Sequence, residues 1–182
     1  MKFVVAFACW AGLLFGSAAA APPAFKSLSY EVIIVPDFAA GTITGAEHFR
    51  FQSLSDDMDT LSFTANALTV NAALDSPADI TISTEAGRRI FHLPRRLAKG
   101  ETATLSMSFS GQPKRDIAFT ANEIHTGYFT CEIMICDIDR PADRATLQLS
   151  LRLPSGMDAV GPGELVWRTE IGRNDISRNS GE

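Results

Sequence analysis

The 182-residue sequence has little histidine, few cysteines, no excess of basic charge and no helical stripe. Each shortage removes a class of protein. The one long apolar run, Phe3 to Phe15, has 13 residues, too few to cross a hydrocarbon core of about 30 Å as a helix. No window repeats apolar residues at three-and-four spacing, which removes helical bundles. Lysine and arginine total 16 against 21 aspartates and glutamates, a balance that argues against nucleic acid as a partner. No short repeat and no linker divide the chain, so it reads as one domain. The histidines are His48, His92 and His125. No serine joins a nucleophile-elbow sequence to a His/Asp pair, so no triad is read.

What is there begins with a leader. Lys2 supplies a positive start, the apolar run follows, and Ser17 to Ala21 offers small residues. This predicts a secretory signal peptide over 1–20, cut after Ala20, and a secreted or periplasmic product with no stable membrane span. An uncleaved anchor is the alternative. Cleavage removes Lys2 and Cys9 and leaves 15 cations against 21 acids, a formal charge of −6. About 160 residues then remain, enough for one domain with a real core. Two cysteines stay, Cys131 and Cys136, and an oxidising compartment permits a disulfide. Residues five apart on one straight strand point to opposite faces. A bond therefore needs a bend between them; without one, the pair are buried, inert thiols.

The rest of the chain reads as strands. Tyr30 to Val35 is β-rich and ends at Pro36-Asp37. Gly41 opens Thr42 to Phe51, with Ile43, Phe49 and Phe51 on one face and Thr42, Thr44, His48 and Arg50 on the other. Leu61–Thr64 and Leu68–Leu74 follow, separated by Ala65-Asn66. Ile80–Ser83 and Arg89–Leu93 form a hairpin around Glu85-Ala86-Gly87, and Pro94 to Gly100 turns back. Thr102 to Phe109 alternates cleanly, with Ala103, Leu105, Met107 and Phe109 inward. Gly111 to Glu123 is irregular. The most regular stretch is Ala145 to Leu153, whose odd positions are apolar and even positions polar; the chain is expected to be organised around it. Gly156–Val160 and Leu165–Arg168 read as a last pair. About nine to eleven strands with frequent turns predict an all-β, antiparallel, saddle-like sandwich over 21–168. Thr169 to Glu182 reads as a disordered polar tail. Core residues are expected to include Phe49, Leu105, Phe109, Leu147, Leu149 and Leu151.

Three clusters could carry chemistry. Asp137, Asp139 and Asp143 suggest calcium, but Arg140 and Arg144 among them favour a solvated, ion-paired turn. Arg88, Arg89, Arg95, Arg96 and Lys99 suggest a polyanion or lipid site, against which a solvated face is favoured. His125, Cys131 and Cys136 offer three zinc ligands with no fourth soft ligand nearby. The sequence therefore assigns no catalytic residue, no metal site and no cofactor.

Four passages carry a resemblance. They are Tyr30–Phe51 with Gly45 (TITGAEHFRF), Leu61–Leu74 (LSFTANALTVNAAL), Asp139-Arg140-Pro141 with Arg144-Ala145-Thr146-Leu147, and LRLPSGMDAVGPGEL from Leu151. Their order resembles the N-terminal domain of the aminopeptidase N family of zinc metallopeptidases, which includes leukotriene A4 hydrolase. The resemblance covers most of residues 28–168. It implies a saddle-shaped β domain that borders a catalytic domain. The family's zinc site needs H-E-x-x-H on a helix, which puts both imidazoles on one face. None of the three histidines begins that motif, and the family's Gly-x-Met-Glu-Asn loop is missing too. Gly127 to Ile138 (GYFTCEIMICDI) departs from the family's pattern. Glu132 is the nearest residue there to one that touches the substrate amino end in the family, but the broken register transfers no role to it.

The resemblance thus implies a non-catalytic, truncated or split peptidase homologue that docks on a separately encoded zinc-peptidase catalytic domain. The alternative is an autonomous extracytoplasmic domain that binds a peptide or glycan in a concave pocket. Peptide hydrolysis by this chain itself is the weakest reading.

Overall fold

The computed structural model describes residues 23–74, 80–115, 117–127, 131–138, 142–161 and 163–169. The signal peptide expected over 1–20, the tail beyond Thr169 and the Asp139-Arg140-Pro141 motif lie outside them. The described residues contain ten strands and no helix. They are β1 (Phe25–Asp37), β2 (Thr42–Ser53), β3 (Met58–Thr64), β4 (Thr69–Leu74), β5 (Thr81–Glu85), β6 (Arg88–Leu97), β7 (Thr102–Gly111), β8 (Ile117–Phe119), β9 (Ile124–Thr126) and β10 (Thr146–Leu151). The all-β reading holds. One sheet has the order β10-β1-β2-β7-β4, a second the order β3-β6-β5, and β8 pairs with β9. Every pairing is antiparallel except β1 with β10, which run parallel.

Alternation explains the core. The odd residues of β2 and β7 face the second sheet, so Ile43, Phe49, Phe51, Ala103, Leu105, Met107 and Phe109 are buried. Leu61, Phe63, Phe91 and Leu97 answer them from β3 and β6. Phe63 joins the layers: its ring centroid lies 5.9 Å from Phe25 and 5.2 Å from Phe49, within the range where edge-to-face contacts add to burial. In β1 a bulge between Ser27 and Ser29 changes the parity. Phe25 and Ser27 point inward before it, Val32 and Ile34 after it. The β5–β6 hairpin turns on Ala86 and Gly87, both at positive φ (48° and 77°), the two-residue turn whose twist suits a hairpin.

The structure corrects four expectations. The most regular stretch is an edge strand, not the centre of the fold. Leu149 is half-buried, while Leu147 and Leu151 are 45% and 38% exposed. All three share the inward parity, since they lie opposite Tyr30, Val32 and Ile34 of β1. The second sheet is only three strands wide, so the outermost of five strands overhangs it. Next, β6 continues through Pro94 to Leu97, with a register shift against β3 where a turn was expected. The segment expected to be irregular, Gly111 to Glu123, contains β8, which pairs with β9 just beyond it in a small hairpin closed by Thr120 N–H to Glu123 O (2.9 Å). Finally, the expected last pair does not form among the described residues: 156–161 and 163–168 hold no strand. Val160, Leu165, Val166 and Trp167 stand exposed there.

Candidate functional site

Polar side chains concentrate where residues 131–138 cross the end of β3. Cys131 and Cys136 are joined by a disulfide with Cα atoms 5.4 Å apart. The bend that such a bond needs is present: this stretch is a loop, not a strand. Its backbone is held from several sides. Thr64 N–H donates to Cys136 O (3.2 Å), and Ile138 N–H donates to Thr64 Oγ1 (3.3 Å). Asn66 Nδ2 donates to Cys131 O (2.6 Å) and Met134 O (3.0 Å). Asn66 Oδ1 accepts from Leu68 N–H (3.1 Å) and Arg89 Nη1 (3.0 Å). Arg89 is itself buried and donates to Leu68 O (2.6 Å); burial lowers its pKa.

Two carboxylates complete the clamp. Asp137 takes both prongs of Arg88, at 2.7 and 2.9 Å, the fork geometry that guanidinium and carboxylate match best. Glu132 is buried and accepts from Arg115 Nε (3.0 Å) and from the Lys114 and Arg115 backbone N–H groups. Arg115 also donates to Ala65 O (2.8 Å). Glu132 is thus committed to positioning Arg115.

Glu47 lies beneath this loop. Its odd position on β2 turns it inward between Val32 and Met107, and it is fully buried. Oε2 accepts from Ile135 N–H (2.8 Å), while among the described residues Oε1 has no hydrogen-bond partner. Burial pushes the carboxyl up to about 8, and the Ile135 bond offsets part of that rise. Sequence reading assigned the face of β2 from its apolar residues and passed over Glu47, although its parity was the available signal. Asn66 separates two strands in the sequence, and nothing local marks it as the anchor of a loop 65 residues away.

The clusters singled out in the sequence come apart. Asp137 pairs with Arg88, and Asp143 accepts from Ser27 N–H and Oγ; Asp139 lies outside the described residues. The favoured solvated turn is therefore corrected at Asp137, which is nearly buried, because a distant arginine satisfies it. The basic cluster is also dispersed. Arg88 and Arg89 turn into the clamp, Arg95 meets Glu101 at 2.5 Å, and Arg96 approaches Asp57 at 3.9 Å. The cysteines of the weighed zinc set are bonded to each other. His48 bonds Ser106 Oγ (3.0 Å) on the outer face of β2, His92 bonds Ser83 Oγ (2.9 Å), and His125 sits on β9. The three histidines belong to three different sheets. Among the described residues, no group of three or more His, Cys, Asp or Glu could hold a metal ion. Two open surface depressions flank Phe38 at the β1–β2 turn, one reaching Pro154 and the other Phe119. The clamp fixes the loop at residues 131–138 to the end of β3.

Asn66→Ala is expected to cost about 2–3 kcal/mol, since it strands the Cys131 and Met134 carbonyls and part of buried Arg89. Urea denaturation measures it. A loss below about 0.5 kcal/mol would mean that the loop does not depend on Asn66.

The architecture has counterparts among solved structures. An M1 zinc metallopeptidase from Deinococcus radiodurans matches over 82% of this chain, with TM-score 0.69 and 17% identity. A structure of the same organism's enzyme bound to a Tyr-Ser-Ala substrate matches over 81%, with TM-score 0.65 and 18% identity. The fold is that of part of an M1 zinc metallopeptidase. The chain spans 37% of the length of these structures, as expected of an N-terminal domain alone. At this identity the likeness establishes the fold. No protein-family model and no curated protein matches the sequence.

Proposed function

We propose that this chain is an exported, non-catalytic module derived from an M1-type peptidase, and that it docks on a catalytic half carried by another polypeptide. The observation that carries the reading is the asymmetry of the match, most of this chain against little more than a third of the metallopeptidase. The sequence agrees, since none of its three histidines begins H-E-x-x-H. Exposed apolar side chains are consistent with it: Leu147, Leu151, Val160, Leu165, Val166 and Trp167, all from β10 onward in the sequence, stand open to a partner. Export rests on the leader at residues 1–20, whose cleavage after Ala20 is read by N-terminal sequencing of the mature protein.

The deciding experiment is co-purification of the tagged full chain from the exported fraction. The expected result is a stoichiometric partner bearing H-E-x-x-H, with aminopeptidase activity in the complex and none in the isolated chain. Recovery of the chain alone would overturn the docking. Chelator-sensitive hydrolysis of aminoacyl substrates by the isolated chain would overturn its non-catalytic nature.

A further inference from the structure

The edge at β10 is open in a specific way. Arg152 N–H donates to Ile34 O of β1 (2.9 Å). Strand alternation then turns the N–H and C=O groups of Leu147, Leu149 and Leu151 away from β1, toward the side on which no strand pairs among the described residues. Those residues also carry the overhanging apolar underside, with Leu147 and Leu151 exposed beyond the three-stranded sheet. At the other edge, β4 is met beyond its own sheet by Ile80 N–H, which donates to Ala72 O (3.0 Å). An unpaired edge with an apolar side is a template for another strand.

The flanking charges narrow what that strand is. Arg144 and Arg152 are both exposed and share the wet-face parity of Gln148. Among the described residues, neither side chain has a hydrogen-bond or ion-pair partner. A second copy fits badly. Antiparallel self-pairing centred on Gln148 puts Arg144 of each copy opposite Arg152 of the other, two like-charge pairs. A one-residue slip would turn the leucines to the wrong face, and a two-residue slip, which restores them and sets Arg152 opposite Thr146, leaves both arginines without a carboxylate. A segment with acidic residues at the matching positions keeps the leucine face and pairs both arginines.

We propose that β10 takes a sixth strand from a partner polypeptide: an extended segment, apolar on one face, with carboxylates about eight residues apart on the other that meet Arg144 and Arg152. The inference rests on the docking reading above and names its surface. In the complex the leucine underside is covered and the five-stranded sheet continues into the partner.

The probe is a synthetic ten-residue peptide of alternating valine and threonine, with glutamates eight positions apart on the threonine face. A lysine-substituted twin is the control, and both are added to the full chain. The glutamate peptide is expected to bind at least tenfold more tightly at low salt and to slow hydrogen exchange at the Leu147, Leu149 and Leu151 amides. Arg144→Glu with Arg152→Glu should reverse the preference between the peptides. Both sites are exposed, and an unchanged melting temperature confirms that the variant is folded. Equal binding of the two peptides, no binding, or protection elsewhere would overturn the proposal. The same double variant separates this inference from the docking reading. A partner recovered undiminished with it leaves docking intact and removes β10 as its site, whereas an absent partner with wild-type chain removes docking and leaves strand addition to the peptide result.

Discussion

Glu47→Gln is expected to make the protein markedly more stable at pH 8 and above, and to leave it nearly unchanged at pH 4. The sign follows from linkage. The folded carboxyl is raised from 4.5 to about 8, so the folded state holds its proton longer than the unfolded state does. Below about pH 4.5 both states are protonated and burial of Glu47 carries no ionisation penalty. Between about 4.5 and 8 the unfolded chain ionises while the folded one does not, and stability falls by about 1.4 kcal/mol per pH unit. Above about 8 both are ionised and the loss levels off. The whole effect is on the order of 5 kcal/mol. Glutamine keeps an oxygen for Ile135 N–H, cannot ionise, and leaves one polar atom unpaired much as the neutral carboxyl does. Urea denaturation from pH 4 to 9 decides the matter. Parallel curves for wild type and variant would show that Glu47 is not the group that titrates.

Gly45→Ala should be among the most damaging single-methyl additions in the chain. Gly45 does not sit at positive φ, so backbone strain is not the reason. Space is the reason. A Cβ there would lie 2.5 Å from the Ile33 carbonyl oxygen, and closer still to the Phe109 ring. The Phe109 ring is buried, and the Ile33 carbonyl belongs to the backbone of β1, the strand paired with β2. Neither yields cheaply, and overpacking of this kind costs about 3 kcal/mol or more. Thermal and urea denaturation of Gly45→Ala measure it. Phe109→Leu in the same background should return only part of the loss, because it relieves the ring and not the carbonyl. A variant within about 0.5 kcal/mol of wild type would show that β1 and β2 shift apart easily.

Both residues show where sequence reading reached and where it stopped. The family-like glycine at position 45 was legible, but its reason, a ring from β7 lying over it, comes from a residue 64 positions later. Glu47 was legible as an inward position by parity alone, yet a glutamate among phenylalanines reads as noise until its partner on the distant loop is known. The inward faces of β2 and β7 were read correctly, and Phe49, Leu105 and Phe109 are buried as expected. At β10 the same rule picked the right face and the wrong burial.

Local sequence by itself determined the all-β class, the positions of most strands and which side chains share a face. The pleat is a property of each strand and needs no neighbour to set it. Tertiary structure alone decided which of those faces are covered, that β10 runs parallel at an edge, and that Asn66, Arg88 and Glu47 converge on residues 131–138. Coverage depends on how wide the opposing sheet is, and convergence on contacts between residues some 49 to 88 positions apart. No local pattern of residues encodes either quantity.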